Sequence, residues 1–360
     1  MKLRIAALAG AFLIATACGP ADESAPASQQ AAQDPNELFD AAVQVMSTAY
    51  FSHVPEAATQ IGMPEEIVPG TSDRMMDRSL DGNAARNQAL EAALVGLNSI
   101  EADSLSPDRQ RTHAVVTTLF EGMLSPSRVV DYGTTMAAWT AWYMPYSIAQ
   151  NSGPTVDIPN FLNSQQPVTN AEEAETYLAR LAPVRAALDG ALESYKHGVQ
   201  VGAIPPDFIV EKSLAVVQSF IAPGAGMNPM YLSFADKLEQ AGIENAEDYA
   251  DRALQIIDAE ILPAYEKIAD YMGEIKGAAP HDAGLWRLPD GEALYAAMIR
   301  HMTDLDLSAD DIHRTGLDDV NRISSEMDKL LKAEGYDEGT VGERMQRLNV
   351  ESRFLYANTT

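Results

Sequence analysis

Along most of this chain apolar residues recur every three or four positions, the period of a helix face, and strict alternation never persists beyond a handful of residues. Residues 36–50 place Leu38, Ala42, Val45, Met46 and Tyr50 on one side. Residues 84–100 and 108–123 behave similarly. Residues 171–201 set Ala174, Tyr177, Leu178, Leu181, Val184, Leu188, Leu192 and Tyr195 along one stripe, predicting a single long helix. Tyr249, Ala253, Ile257, Ile261, Tyr265, Ile268 and Met272 form another, with Pro263 inside it as an expected kink. Ser308 followed by Asp311 resembles a capping box, opening a helix whose stripe is Ile312, Val320, Ile323, Met327, Leu330 and Leu331. Punctuation at Pro154, Pro159 and Pro167, at 202–206, at 223–229 and at 277–280 predicts helix ends. No fixed-period repeat is present. The expected fold is all-α, large and irregular, with strand limited to a short hairpin or none.

The first 35 residues read differently. Lys2 and Arg4 precede an apolar, small-residue run from Ile5 to Ala17, too short to span a bilayer and typical of a secretory signal. It ends Leu13-Ile14-Ala15-Thr16-Ala17-Cys18-Gly19, and small residues before a cysteine resemble a lipoprotein lipobox. Cys18 is the only cysteine, which leaves lipid attachment, an intermolecular bridge, or removal with the signal. Lipidation is the reading preferred here, and it would be the protein's sole hold on a membrane. Residues 19–35, rich in Pro, Ala, Ser and Gln, have no apolar period and read as a disordered tether. Residues 36–360 then form the folded part.

Fifty-two acidic against 25 basic side chains give a net charge of −27. That balance argues against nucleic acid, whose phosphates demand clustered Lys and Arg, and against an electrostatic grip on anionic lipid. Solubility accounts for it; attraction for cationic substrates is the alternative.

Chemical signatures are scarce. No two of His53, His113, His197, His281, His301 and His313 are four apart, so a helical His-Glu-x-x-His zinc site cannot be built from them. His301 and Asp304, three apart, could share a face toward a metal, although solvent-exposed or structural roles are commoner. There is no Gly-x-Ser-x-Gly elbow and no Ser-x-x-Lys. Gly224-Ala225-Gly226 reads as a turn. Tyr132, Trp139, Trp142, Tyr143 and Tyr146 cluster within fifteen residues, as core or as the wall of a ligand cleft.

Four stretches carry a resemblance: Ile148-Ala149-Gln150-Asn151-Ser152-Gly153-Pro154; Tyr177-Leu178-Ala179-Arg180-Leu181; Gly202-Ala203-Ile204-Pro205-Pro206; and residues 284–327, which open Gly284-Leu285-Trp286-Arg287-Leu288-Pro289-Asp290-Gly291. With them the chain resembles the domain-of-unknown-function 885 family, large helical bacterial proteins often made as lipoproteins. The resemblance implies a fold like the N-terminal part of helical zinc metallopeptidases. It also implies a zinc site built from a His-Glu cluster followed by Gly-His-His in the C-terminal half, a cluster this sequence does not contain. The chain is therefore expected to be the N-terminal portion of an envelope-anchored, zinc-dependent peptidase-like protein, with no metal site or cofactor of its own. The end of the chain agrees with this: Arg353-Phe354-Leu355-Tyr356 is apolar enough to expect burial, and Asn358-Thr359-Thr360 offers helix caps with no helix after them. Trp286, Arg287, Tyr295, Arg300 and His301 are the candidate cleft residues, Arg to clamp a peptide carboxylate and Tyr or His to stabilise an oxyanion. The alternative is a non-catalytic envelope lipoprotein that binds peptides or protein partners.

Overall fold

The computed structural model describes residues 34–134 and 143–356. Fourteen α-helices lie among them: α1 Pro35–His53, α2 Pro55–Gln60, α3 Leu80–Asn98, α4 Pro107–Val129, α5 Pro154–Ser164, α6 Ala171–Leu181, α7 Val184–Gln200, α8 Asp207–Ile221, α9 Pro229–Gln240, α10 Ala246–Ile256, α11 Leu262–Lys276, α12 Gly291–Thr303, α13 Ala309–Ala333 and α14 Val341–Asn349. The described residues contain no strand, only an isolated bridge between Ala149 and Ser152. The fold is all-α, as the period requires. Cys18, Trp139, Trp142 and residues 19–33 of the tether lie outside the described residues.

Two hydrophobic clusters organise the helices. One joins α1 to α4 with α12, around Phe39, Met46, Leu90, Leu94, Leu97, Phe120, Leu124 and Leu294. The other joins α5 to α11, around Tyr177, Leu181, Leu188, Phe234, Ile257, Ile261, Tyr265 and Ile268. The chain thus leaves the first cluster after α4, builds the second, and returns through α12, which packs on α4.

Several expectations change in detail. The 171–201 stripe is buried throughout, but Pro183 divides it into α6 and α7, because a proline ring clashes with the preceding turn. At Pro263 the run is interrupted: a π-turn over Ile257–Ile261 separates α10 from α11, and Pro263 lies in the first turn of α11, where its missing N–H costs nothing. Pro154 and Pro159 do not end a helix. Pro154 opens α5 at a position whose N–H needs no partner, and Pro159 sits inside it. On α1 the buried side is Phe39, Met46 and Tyr50, with Leu38 and Val45 exposed. The apolar end segment expected to be buried is open, with Phe354, Leu355 and Tyr356 all exposed.

Helix α13 has the expected capping box: Ser308 Oγ accepts from the Asp311 N–H at 3.1 Å, and the Asp311 carboxylate accepts from the Ser308 N–H. Thr340 and Glu343 repeat the motif on α14. Of the α13 stripe only Leu331 is buried, while Ile312, Val320, Ile323 and Leu330 face solvent. The α13–α14 hairpin is therefore held largely by polar local bonds. The Ser308 hydroxyl holds the Asp311 carboxyl below its usual range, Lys332 that of Asp328, the Thr340 N–H that of Glu343 and the Tyr336 hydroxyl that of Glu351. Depressed carboxylates contribute stability above their unfolded values, about 4, and lose it as pH falls through the lower folded values. Hydrogen exchange, corrected for intrinsic rates, should show α13 and α14 losing protection in acid before α6 and α7. Equal loss in both regions would contradict this account.

Candidate functional site

The seam between the two clusters is lined by polar side chains. Glu56 on α2 is buried and pairs with buried Arg78, Oε1 to Nη1 at 3.0 Å, while its Oε2 accepts the Met76 N–H at 2.9 Å. Arg78 in turn offers its carbonyl to Ser194 Oγ of α7 at 2.9 Å. On α3, Asn83 and Arg86 stand three apart and so share a face. Asn83 Nδ2 donates to the Gly133 carbonyl at 2.8 Å, and Arg86 Nη2 donates to Asn83 Oδ1 at 2.7 Å.

The opposite wall is the Asn151-Ser152-Gly153-Pro154 turn. The Ala149 N–H donates to the Ser152 carbonyl at 3.0 Å, closing it. Gly153 has φ +93°, and a Cβ there would collide with the Ser147 carbonyl. Its N–H donates to Asp157 Oδ2 at 3.0 Å, which ties the turn to α5. Ser147 Oγ donates to the Ala191 carbonyl of α7 at 3.0 Å.

Between these walls lies a partly open cavity of about 90 Å³, lined by Arg78, Asn83, Arg86, Tyr146, Ser152 and Asp157 among others. Arg86 is only 2% exposed, and its Nε has no hydrogen-bond partner among the described residues. Burial, reinforced by the neighbouring Arg78 charge, pushes its pKa down to about 10, which leaves it a cation at neutral pH. The Ser152 hydroxyl oxygen, also at the cavity wall, is buried and equally without a partner among the described residues.

The five residues anticipated from the sequence do not converge on one site. Arg287 is half-buried behind the cavity: its Nη2 donates to the Tyr146 hydroxyl at 2.9 Å and to the Ile204 carbonyl at 2.5 Å, bracing one wall. Arg300 and His301 line a separate open cleft between α4 and α12, with Glu121, Arg128 and Asp304. The His301 ring lies so close to Gly122 that a Cβ there would force the ring to move. Trp286, 68% exposed, and Tyr295, 50% exposed, line neither. Among the described residues no group of three or more His, Cys, Asp or Glu side chains is placed to hold a metal ion, His301 and Asp304 included.

Arg86, Ser152 and the Glu56–Arg78 pair were not anticipated. One signal was available: Arg86, Leu90, Leu94 and Leu97 fall in helical phase, so a charged residue sits on the buried stripe of α3. All four stretches that carried the family resemblance contribute to this seam or its surroundings. Residues 148–154 form the turn, Arg287 ties the Tyr146 hydroxyl to the Ile204 carbonyl, and Arg180 fastens the adjoining loop through Thr71.

The fold and seam define an all-helical protein with a partly open cavity, lined by polar and apolar side chains, between two cores. The chain belongs to the family described as "Bacterial protein of unknown function (DUF885)", whose model matches residues 55–360. It is similar to a crystal structure described as "the putative lipoprotein from Colwellia psychrerythraea", at 24% identity and a TM-score of 0.81. The match covers 91% of this chain and 56% of that one, so this chain spans little more than half the length of the protein it matches. No curated protein matches the sequence. No helix among the described residues is long and apolar enough to cross a membrane.

Two substitutions separate bracing from surface. Arg287→Ala removes both Nη2 bonds and should lower unfolding free energy by about 1–3 kcal/mol in urea titration. Trp286→Ala should change it by less than about 1 kcal/mol. Equal effects would show that Arg287 braces nothing.

Proposed function

We propose that this chain forms the N-terminal part of an envelope-anchored, peptidase-like protein, held to a membrane through lipid on Cys18. Membership of the family over residues 55–360 carries the reading. The fold shared with the Colwellia protein, described as a lipoprotein, supports the envelope location. In the full-length family the resemblance implies zinc-dependent peptide hydrolysis, in which a metal would lower the pKa of its water and a glutamate would take the proton. The donor set here does not fit that metal, since the six histidines are scattered and no grouping of ligands forms among the described residues. No step is therefore assigned to zinc in this chain. Its own contribution is a cleft wall that receives part of a substrate.

A second reading is a non-catalytic lipoprotein that binds peptides. The seam cavity favours it, because Arg86 and Ser152 can hold a polar group with no metal at all.

The full 360-residue chain should bind no stoichiometric zinc at neutral pH and hydrolyse no peptide, whereas a longer polypeptide carrying the His-Glu and Gly-His-His cluster should do both. Metal analysis by mass spectrometry with a mixed-peptide digest decides between the two readings: no hydrolysis by the longer form leaves the binder. Tight one-to-one zinc in the 360-residue chain, lost on replacing His301, would place the centre in this half instead. Cys18→Ser should move the protein from the detergent extract to the soluble fraction of a Gram-negative host. Unchanged membrane association would refute the lipid anchor.

A further inference from the structure

We infer that the seam cavity is a carboxylate-binding site, with the Arg86 guanidinium and the Ser152 hydroxyl as the two donors that grip the anion. The inference stands on the cavity alone and needs neither hydrolysis nor zinc.

A buried cation costs several kcal/mol unless it is paired, so the partners of Arg86 are the starting point. The nearest buried carboxylate, Glu56, has both oxygens engaged, one by Arg78 and one by the Met76 N–H. Among the described residues Arg86 itself makes a single bond, to the neutral amide of Asn83. Arg78 adds a second positive charge to the lining, and the Glu56 charge balances only one of the two. Asp157 is the carboxylate on the wall among the described residues, and its Oδ2 accepts the Gly153 N–H rather than a bond from Arg86. Among the described residues no carboxylate is hydrogen-bonded to Arg86, and its Nε is left without an acceptor.

Ser152 narrows the chemistry. A guanidinium and a hydroxyl that line one space, each with an unpartnered polar atom, suit a group with two acceptor oxygens. Volume narrows it further. The cavity has room for more than a single water, enough to admit a small carboxylate with a short apolar stem. Met76, Met144, Pro154 and Ala191 complete the lining and suit an apolar stem better than the fully hydrated oxygens of phosphate. The cavity is partly open, so the carboxylate could be free or the end of a longer molecule such as a peptide.

The probe is sodium propionate, titrated into the full chain by calorimetry and followed by carboxyl-carbon NMR, with propionamide and inorganic phosphate as comparisons. Saturable binding of propionate, with propionamide at least about tenfold weaker, is expected, since a hydrogen bond to a charged group contributes about 1.5–3 kcal/mol. Arg86→Gln should weaken propionate at least about tenfold and Ser152→Ala by a smaller factor, with circular dichroism unchanged. If Arg86→Gln fails to fold, Ser152→Ala decides: unchanged affinity there overturns the assignment. Equal binding of acid and amide, no saturable binding of propionate, tighter binding of phosphate, or a folded Arg86→Gln variant with wild-type affinity would each overturn it as well.

Discussion

The seam between the two cores depends on Arg180. It sits on α6, wholly buried, with its guanidinium over the Phe161 ring at 5.1 Å. One nitrogen donates to Thr59 Oγ1 at 2.9 Å and to the Gln166 side chain, and the other donates to the Thr71 carbonyl. Thr59 and Thr71 belong to the first half of the fold, and Gln166 to the second. One side chain thus ties the end of α2 and the loop after it to the second cluster. That loop runs from Thr71 to Met76 and Arg78, so the position of the Glu56–Arg78 pair, and with it one wall of the cavity, follows from the Arg180 bonds. Removing the guanidinium would orphan a buried carbonyl and a hydroxyl, a larger loss than the net contribution of the bonds themselves.

Arg180 and Arg86 make an instructive pair. Burial pushes both guanidinium pKa values down to about 10, so both stay charged near neutrality. Arg180 is surrounded by neutral oxygens drawn from three segments, and this is how a buried cation is held without a counter-ion. Arg86 has one such oxygen and faces a cavity. Apolar residues of similar volume often replace buried charges without loss of stability, so neither arginine is explained by the energy of its contacts. Arg180 is explained by registration of the two halves. Arg86 makes its side-chain bond within its own turn of α3, to Asn83, and otherwise lines the cavity.

The cores were legible because their stripes are long and regular. Every residue of the 171–201 stripe is buried, and so is the line from Ala253 to Met272. What failed was local. Pro154 and Pro159 read as breaks because proline disfavours a helix interior, yet the first turn of α5 leaves its N–H groups free and tolerates Pro154. Leu38 and Val45 share a face with Met46 on paper, but α1 rolls so that Phe39 faces α3 and α4 instead. The site was less legible, because its residues come from positions 78, 86, 146, 152 and 191, and no spacing in the chain brings them together. Only the tertiary return of α7 past α3 does so, through Asn83 and Ser194.

The most distinctive stretch of the sequence, around Trp286 to Gly291, is also reinterpreted by its surroundings. Arg287 spends its donors on Tyr146 and the Ile204 carbonyl, and the Pro289 carbonyl accepts the Tyr132 hydroxyl. These are bonds from the returning chain to the loops around the seam, and Leu288 and Leu294 drop into the first core beneath them. The segment closes the circuit that began when the chain left α4. A signature in sequence need not mark reacting groups; here it marks a strut whose geometry demands an arginine and a carbonyl at fixed offsets. The free chemistry lies one layer away, on the wall that the strut supports, where a charged side chain remains incompletely partnered.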